Sequence, residues 1–79
     1  PIWIYPNPSK GIVEIQMHES LNGGLNIQLY NSIGRLIQTI TCTKGELNYS
    51  LDLIPCSSGI YLVKLTTNTE TYIRKIIKE

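Results

Sequence analysis

Leu25-Asn26-Ile27-Gln28-Leu29-Tyr30-Asn31-Ser32-Ile33-Gly34-Arg35-Leu36-Ile37-Gln38-Thr39-Ile40-Thr41 is the stretch that decides the fold. Leu25, Ile27 and Leu29 alternate with Asn26, Gln28 and Tyr30. A period of two puts apolar side chains on one face and polar ones on the other, which is a half-buried strand and not a helix. Asn31 to Gly34 then breaks the pattern, with glycine where a turn calls for positive φ. Arg35 to Thr41 is the return strand, so 25–30 and 35–41 are expected to form a hairpin.

The same period runs outward in both directions. Val13, Ile15 and Met17 alternate with Ile12, Glu14 and Gln16. Leu21-Asn22-Gly23-Gly24 is a strong turn signal after them, and Thr43-Lys44-Gly45-Glu46 is the next. Leu47, Tyr49 and Leu51 alternate with Asn48, Ser50 and Asp52 as a short strand. Ile54 to Gly59 reads as a connecting loop, because Pro55 cannot donate to a ladder. Ile60 to Thr66 and Thr71 to Ile77 form a second hairpin over Thr67-Asn68-Thr69-Glu70. Ile2 to Tyr5 adds an edge strand ended by Pro6 and Pro8, and Asn7 is held extended by the proline after it. Short strands with turn signals every ~8–12 residues define an all-β chain, an antiparallel immunoglobulin-like β-sandwich of about seven strands. No helix, low-complexity tract or internal repeat interrupts it.

Seventy-nine residues make one domain, 1–79. A net charge of +1 lacks the basic stripe that nucleic-acid binding needs. The charge is uneven, however: Lys64, Arg74, Lys75 and Lys78 crowd the carboxyl end against only Glu70 and Glu79. No signal peptide is visible and no apolar run approaches a membrane span. The chain opens on Pro1, so it is expected to be a piece of a larger protein. Cys42 and Cys56 leave two states open. A bridge between them would close a loop worth roughly 3 kcal/mol in the chain-entropy model. Otherwise they are two small apolar side chains.

The chemistry-bearing residues are sparse. His18 is the single histidine and Asp52 the single aspartate. His18 lies between a strand and a turn, where an exposed loop residue is the expectation. Cys42, Cys56 and His18 are too scattered for a structural zinc site, and the carboxylates are too dispersed for calcium. Gly23-Gly24 has no phosphate-loop continuation. No nucleophile, base and orienting group fall into a catalytic arrangement, so neither an enzyme nor a cofactor is expected. Tyr49 and Tyr61 run in phase with Leu51, Val63 and Leu65 and are expected in the core. Tyr72 is in phase with Arg74 and Ile76, and its facing stays open. Trp3 and Tyr5 could form half of a stacking platform for a sugar.

Five motifs in order bring a family into view: Tyr5-Pro6-Asn7-Pro8; Leu29 to Ile37 around Asn31-Ser32-Ile33-Gly34; Leu51-Asp52-Leu53; Ser58-Gly59-Ile60-Tyr61-Leu62-Val63-Lys64-Leu65; and Arg74-Lys75-Ile76-Ile77-Lys78. From about Ile4 to Glu79 the chain resembles the type A carboxyl-terminal sorting domain of the type IX secretion system of Bacteroidetes. The resemblance implies a C-terminal signal carried by a covalently attached cargo protein. The cargo enters the periplasm, passes the outer-membrane translocon, and ends secreted or on the cell surface. A sortase-like peptidase then removes the domain, at a site expected upstream of this chain. Pro6, Asn7, Pro8, Gly34, Gly59, Tyr61, Lys75, Ile76, Ile77 and Lys78 match the family's signal positions and are the expected recognition residues. The cysteines stand outside the family pattern.

A physical route to recognition exists beside the resemblance. A last strand at a sheet edge could add a partner's strand, with Arg74, Lys75 and Lys78 facing an acidic groove; the same charges could simply guard the edge. An edge of this kind admits a monomer or an edge-paired dimer. The competing readings are an immunoglobulin-like accessory module that holds glycan or protein for an attached enzyme, and a structural spacer.

Overall fold

The computed structural model describes residues 2–17, 24–42 and 48–79. Seven strands follow in order: β1 (Ile2–Tyr5), β2 (Ile12–Met17), β3 (Leu25–Asn31), β4 (Leu36–Cys42), β5 (Asn48–Asp52), β6 (Gly59–Thr66) and β7 (Thr71–Lys78). They form a three-stranded sheet in the order β1-β2-β5 and a four-stranded sheet in the order β4-β3-β6-β7. Every strand pair is antiparallel, and no helix occurs among the described residues. The expected immunoglobulin-like sandwich is the fold. The turns at 21–23 and 43–46, Leu47 and His18 lie outside the described residues.

The alternation carries the packing. Val13, Ile15 and Met17 of β2 and Leu51 of β5 face inward with Leu53 just beyond; Leu25, Ile27 and Leu29 of β3 and Tyr61, Val63 and Leu65 of β6 meet them from the other sheet, and all are buried. Ile76 completes this core from β7, and Tyr49 and Tyr72 pack half-buried against it. The expectation of Tyr49 and Tyr61 on the core side holds, and Tyr72 takes the same side.

The first hairpin is tighter than a plain two-strand ladder. Its register shifts between Leu29 and Tyr30, which pair with Gln38 and Leu36 and leave Ile37 as the extra residue of a bulge. Arg35 accordingly belongs to the turn, and the return strand starts at Leu36. The β6–β7 hairpin turns on Thr67, whose N–H donates to the Glu70 carbonyl at 2.8 Å and whose hydroxyl accepts from the amides of Thr69 and Glu70.

The bridge between Cys42 and Cys56 that the sequence left open is not made: both side chains are thiols. The topology explains why. Cys42 pairs with Leu25, at the end of the four-stranded sheet where Asn26 meets Thr66. Cys56 sits beside Lys78, which pairs with Gly59 at the opposite end of β6. At ~3.3 Å per residue the length of β6 separates them by roughly 20 Å, far beyond the ~7 Å between Cα atoms that a disulfide tolerates.

Candidate functional site

β7 is the outermost strand of the four-stranded sheet. In an antiparallel ladder alternate residues turn both backbone groups toward the partner or away from it. On β7 the odd-numbered residues face away from β6, and the chain's own amino-terminal segment meets part of that edge. The Ile77 N–H donates to Asn7 Oδ1 at 2.9 Å, and Asn7 Nδ2 donates to the Lys75 carbonyl at 2.9 Å. The Ser9 N–H donates to the Ile77 carbonyl, and the Glu79 N–H to the Ser9 carbonyl, both at 2.8 Å. Segment 7–9 thus lies along the end of β7, with Ser9 opposite Lys78 in parallel.

The residue types suit the task. An asparagine side chain offers one acceptor and two donors on a planar amide, so it presents the groups a peptide bond would present to a strand. Pro6 and Pro8 bring no N–H that would need a partner there, and both Tyr5–Pro6 and Asn7–Pro8 are cis. Ser9 is 1% exposed. Its hydroxyl donates to the Ile12 carbonyl at 3.0 Å and accepts from the Gly11 N–H at 3.1 Å, so the buried residue is satisfied throughout.

The Gly-x-Tyr stretch pairs directly with the carboxyl-terminal motif: Gly59 with Lys78, Ile60 with Ile77, Tyr61 with Ile76 and Leu62 with Lys75. The buried Tyr61 sends its hydroxyl back to donate to the Ser57 carbonyl at 2.6 Å. That strap over the β5–β6 connection is the tyrosine corner of immunoglobulin-like sandwiches. Gly59 has φ +151°, a value few side-chain-bearing residues adopt. Tyr61 also pairs with Asn31 of β3. Asn31 Oδ1 accepts from the amides of Ile33 and Arg35, its carbonyl accepts from Gly34 N–H, and Gly34 closes the turn at φ +87°. Four motifs dispersed along the sequence therefore meet at one end of one sheet.

The terminal cations do not act as one group. Lys78 is half-buried and donates to the Cys56 carbonyl at 2.8 Å. Arg74 lies over the Tyr72 ring, 5.6 Å from its centroid, and donates to the Ile73 carbonyl at 3.1 Å. Lys75 alone projects outward with no side-chain partner among the described residues. The Tyr72 phenol is raised above its ordinary value, first by its hydrogen bond to the Glu70 carboxylate and then by burial, while the Arg74 guanidinium pulls the other way.

Ser9 and the Cys56 carbonyl escaped the reading of the sequence as parts of this site, and Asn31 entered it only through the turn motif that ends at Gly34. Ser9 carried a faint signal, a small polar residue directly after Asn7-Pro8. Trp3 and Tyr5 are exposed on the outer side of β1, at the edge of the other sheet, and the Tyr5 hydroxyl donates to Gln16 Oε1. No group of metal-ligating side chains forms among the described residues.

The chain is thus a small β-sandwich in which segment 7–9 and the end of β7 are knitted into one sheet edge. The family of secretion system C-terminal sorting domains matches residues 3–79, and the chain belongs to it. Its function is that of the C-terminal sorting signal for type IX secretion, which marks a cargo protein for export to the cell surface or beyond. No curated protein matches the chain.

Proposed function

We propose that an outer-membrane translocon reads this domain at the edge of β7, by adding a strand to the part that Asn7 and Ser9 leave uncovered. The carrying observation is the division of that edge. From Lys75 to Glu79 it is closed by the amino-terminal segment. From Thr71 to Lys75 the outward N–H groups of Thr71, Ile73 and Lys75 meet no partner among the described residues. An open edge gives main-chain affinity, and the alternate side chains Ile73 and Lys75 give selectivity.

The recognition residues then divide by role. Lys75 and Ile77 contact the translocon. Pro6, Asn7, Pro8 and Lys78 hold the terminal strand in place. Tyr61 and Ile76 are buried and act by positioning, as do Gly34 and Gly59 through their turns. The cargo is attached ahead of the domain, reaches the translocon from the periplasm, and is released when a sortase-like peptidase cuts upstream.

The test is a periplasm-targeted fluorescent protein carrying residues 1–79 at its carboxyl end in a Bacteroidetes host. Reporter should reach the medium or cell surface with the intact domain and stay in the periplasm when Lys75–Glu79 are deleted. Ile73→Pro removes only an outward N–H, so the β6–β7 ladder survives, yet it should block export. Unimpaired export of the Ile73→Pro fusion refutes strand addition at this edge.

A further inference from the structure

The two outer faces of the sandwich differ in chemistry. Across the four-stranded sheet, the register sets Ile60 beside Ile77, Leu62 beside Lys75, and Lys64 beside Ile73. Ile60 is 48%, Leu62 38%, Ile73 59% and Ile77 37% exposed. Lys75 stands between Ile73 and Ile77 on its own strand and opposite Leu62, so aliphatic side chains flank its ammonium on three sides and the sheet edge lies on the fourth. Among its described strand residues this face has two lysines and no carboxylate. The outer face of the three-stranded sheet is the reverse: it carries Glu14 and Asp52, with no cation among its described strand residues, and Ser50 donates to Glu14 at 2.8 Å.

We infer that the outer face of the four-stranded sheet, with Lys75 among Ile60, Leu62, Ile73 and Ile77, docks onto a protein surface whose apolar patch carries a carboxylate near its centre. The inference rests on the sorting reading and adds a face to the edge proposed there. Contiguous exposed aliphatics on a small domain mark an interaction surface. The charge pattern selects the occupant. Two copies meeting through this face would oppose lysine to lysine. A lipid surface calls for a cluster of cations around the apolar patch, and the strand residues of this face carry two lysines. A lysine flanked by aliphatics on three sides needs a fixed anion opposite it when they are covered, because a desolvated charge without a partner opposes binding.

The same reporter tests this with variants outside the terminal motif. Ile60→Thr combined with Leu62→Thr keeps strand-forming residues and removes the apolar centre. Lys75→Glu reverses the charge, Lys75→Arg retains it, and Gln16→Lys alters the opposite outer face. Each variant is accepted only if its thermal midpoint stays within a few degrees of wild type. The double variant and Lys75→Glu should lower export at least tenfold, Lys75→Arg should export several-fold better than Lys75→Glu, and Gln16→Lys should stay within twofold of wild type. Wild-type export together with normal export of the double variant overturns the docking face and leaves the sorting reading standing. Failure of wild-type export overturns the sorting reading itself. Binding of the 79-residue chain to phosphatidylglycerol vesicles, lost in the double variant, would overturn a protein partner in favour of lipid. Self-association lost in the same variant, read by sedimentation, would overturn it in favour of a second copy.

Discussion

Asn7→Ala removes the two side-chain bonds that close the end of β7, one from Asn7 Nδ2 to the Lys75 carbonyl and one from the Ile77 N–H to Asn7 Oδ1, each 2.9 Å long. A hydrogen bond contributes a net ~0.5–1.5 kcal/mol, and both backbone groups can turn to water once the amide is gone, so the lower half of that range applies to each. The expected loss is about 1–2 kcal/mol. For a chain of this size that lowers the thermal midpoint by about 5–15 °C. The position of the effect is more telling than its size. Amide exchange at Ile77 should accelerate about 5- to 30-fold if opening is local. The Ile76 and Lys78 amides, which face β6, should change far less. Asn7→Asp keeps an acceptor for Ile77 but sets a carboxylate against the Lys75 carbonyl, and should cost at least as much near neutral pH. Protonation restores a donor. The folded state therefore raises the pKa of that carboxyl, and its penalty shrinks as the pH falls through the raised value and is gone below about 4. Equal acceleration along the whole of β7, or none at Ile77, would refute the view that Asn7 acts as a local clasp.

Three further outcomes follow from the same geometry. Gly34→Ala should cost about 1–2 kcal/mol in chemical denaturation, because φ is +87° there while an added Cβ would meet nothing within 4 Å; Gly34→Asn should recover much of it. Tyr61→Phe should cost about 1–2 kcal/mol by unpairing the Ser57 carbonyl, with the fold and the β6 ladder kept in amide NMR. Carbon-labelled tyrosine NMR should find the Tyr72 phenol above its ordinary value and lowered in Glu70→Gln. A raised phenol favours the fold below the unfolded-state value and loses that contribution as the pH climbs through the folded one.

The strands were legible because one face of each is buried, and burial writes a period of two into residues such as Val13-Glu14-Ile15-Gln16-Met17. The hairpins were legible because Gly34 and the Thr67–Glu70 turn carry their own local chemistry. The site was legible only as separate motifs. Nothing in the spacing of Asn7 and Ile77 says that they bond, since a contact across 70 positions leaves no periodic trace. The grouping of Arg74, Lys75 and Lys78 into one basic patch failed for a related reason. Alternation sends Lys75 to one side of the sheet and its neighbours to the other, where Tyr72 and the Cys56 carbonyl hold them. The cysteine pair was undecided because loop length governs the entropy of closing a bridge, while the run of β6 governs whether the two thiols ever meet.

The clasp also ties the two ends of the fold to each other. Its bonds join residues 7 and 9 to residues 75, 77 and 79. Contacts of such separation close late, since most of the intervening chain must be ordered first. The covered part of the edge is therefore a report on the whole sandwich: a domain still folding presents β7 without Asn7 and Ser9 along it.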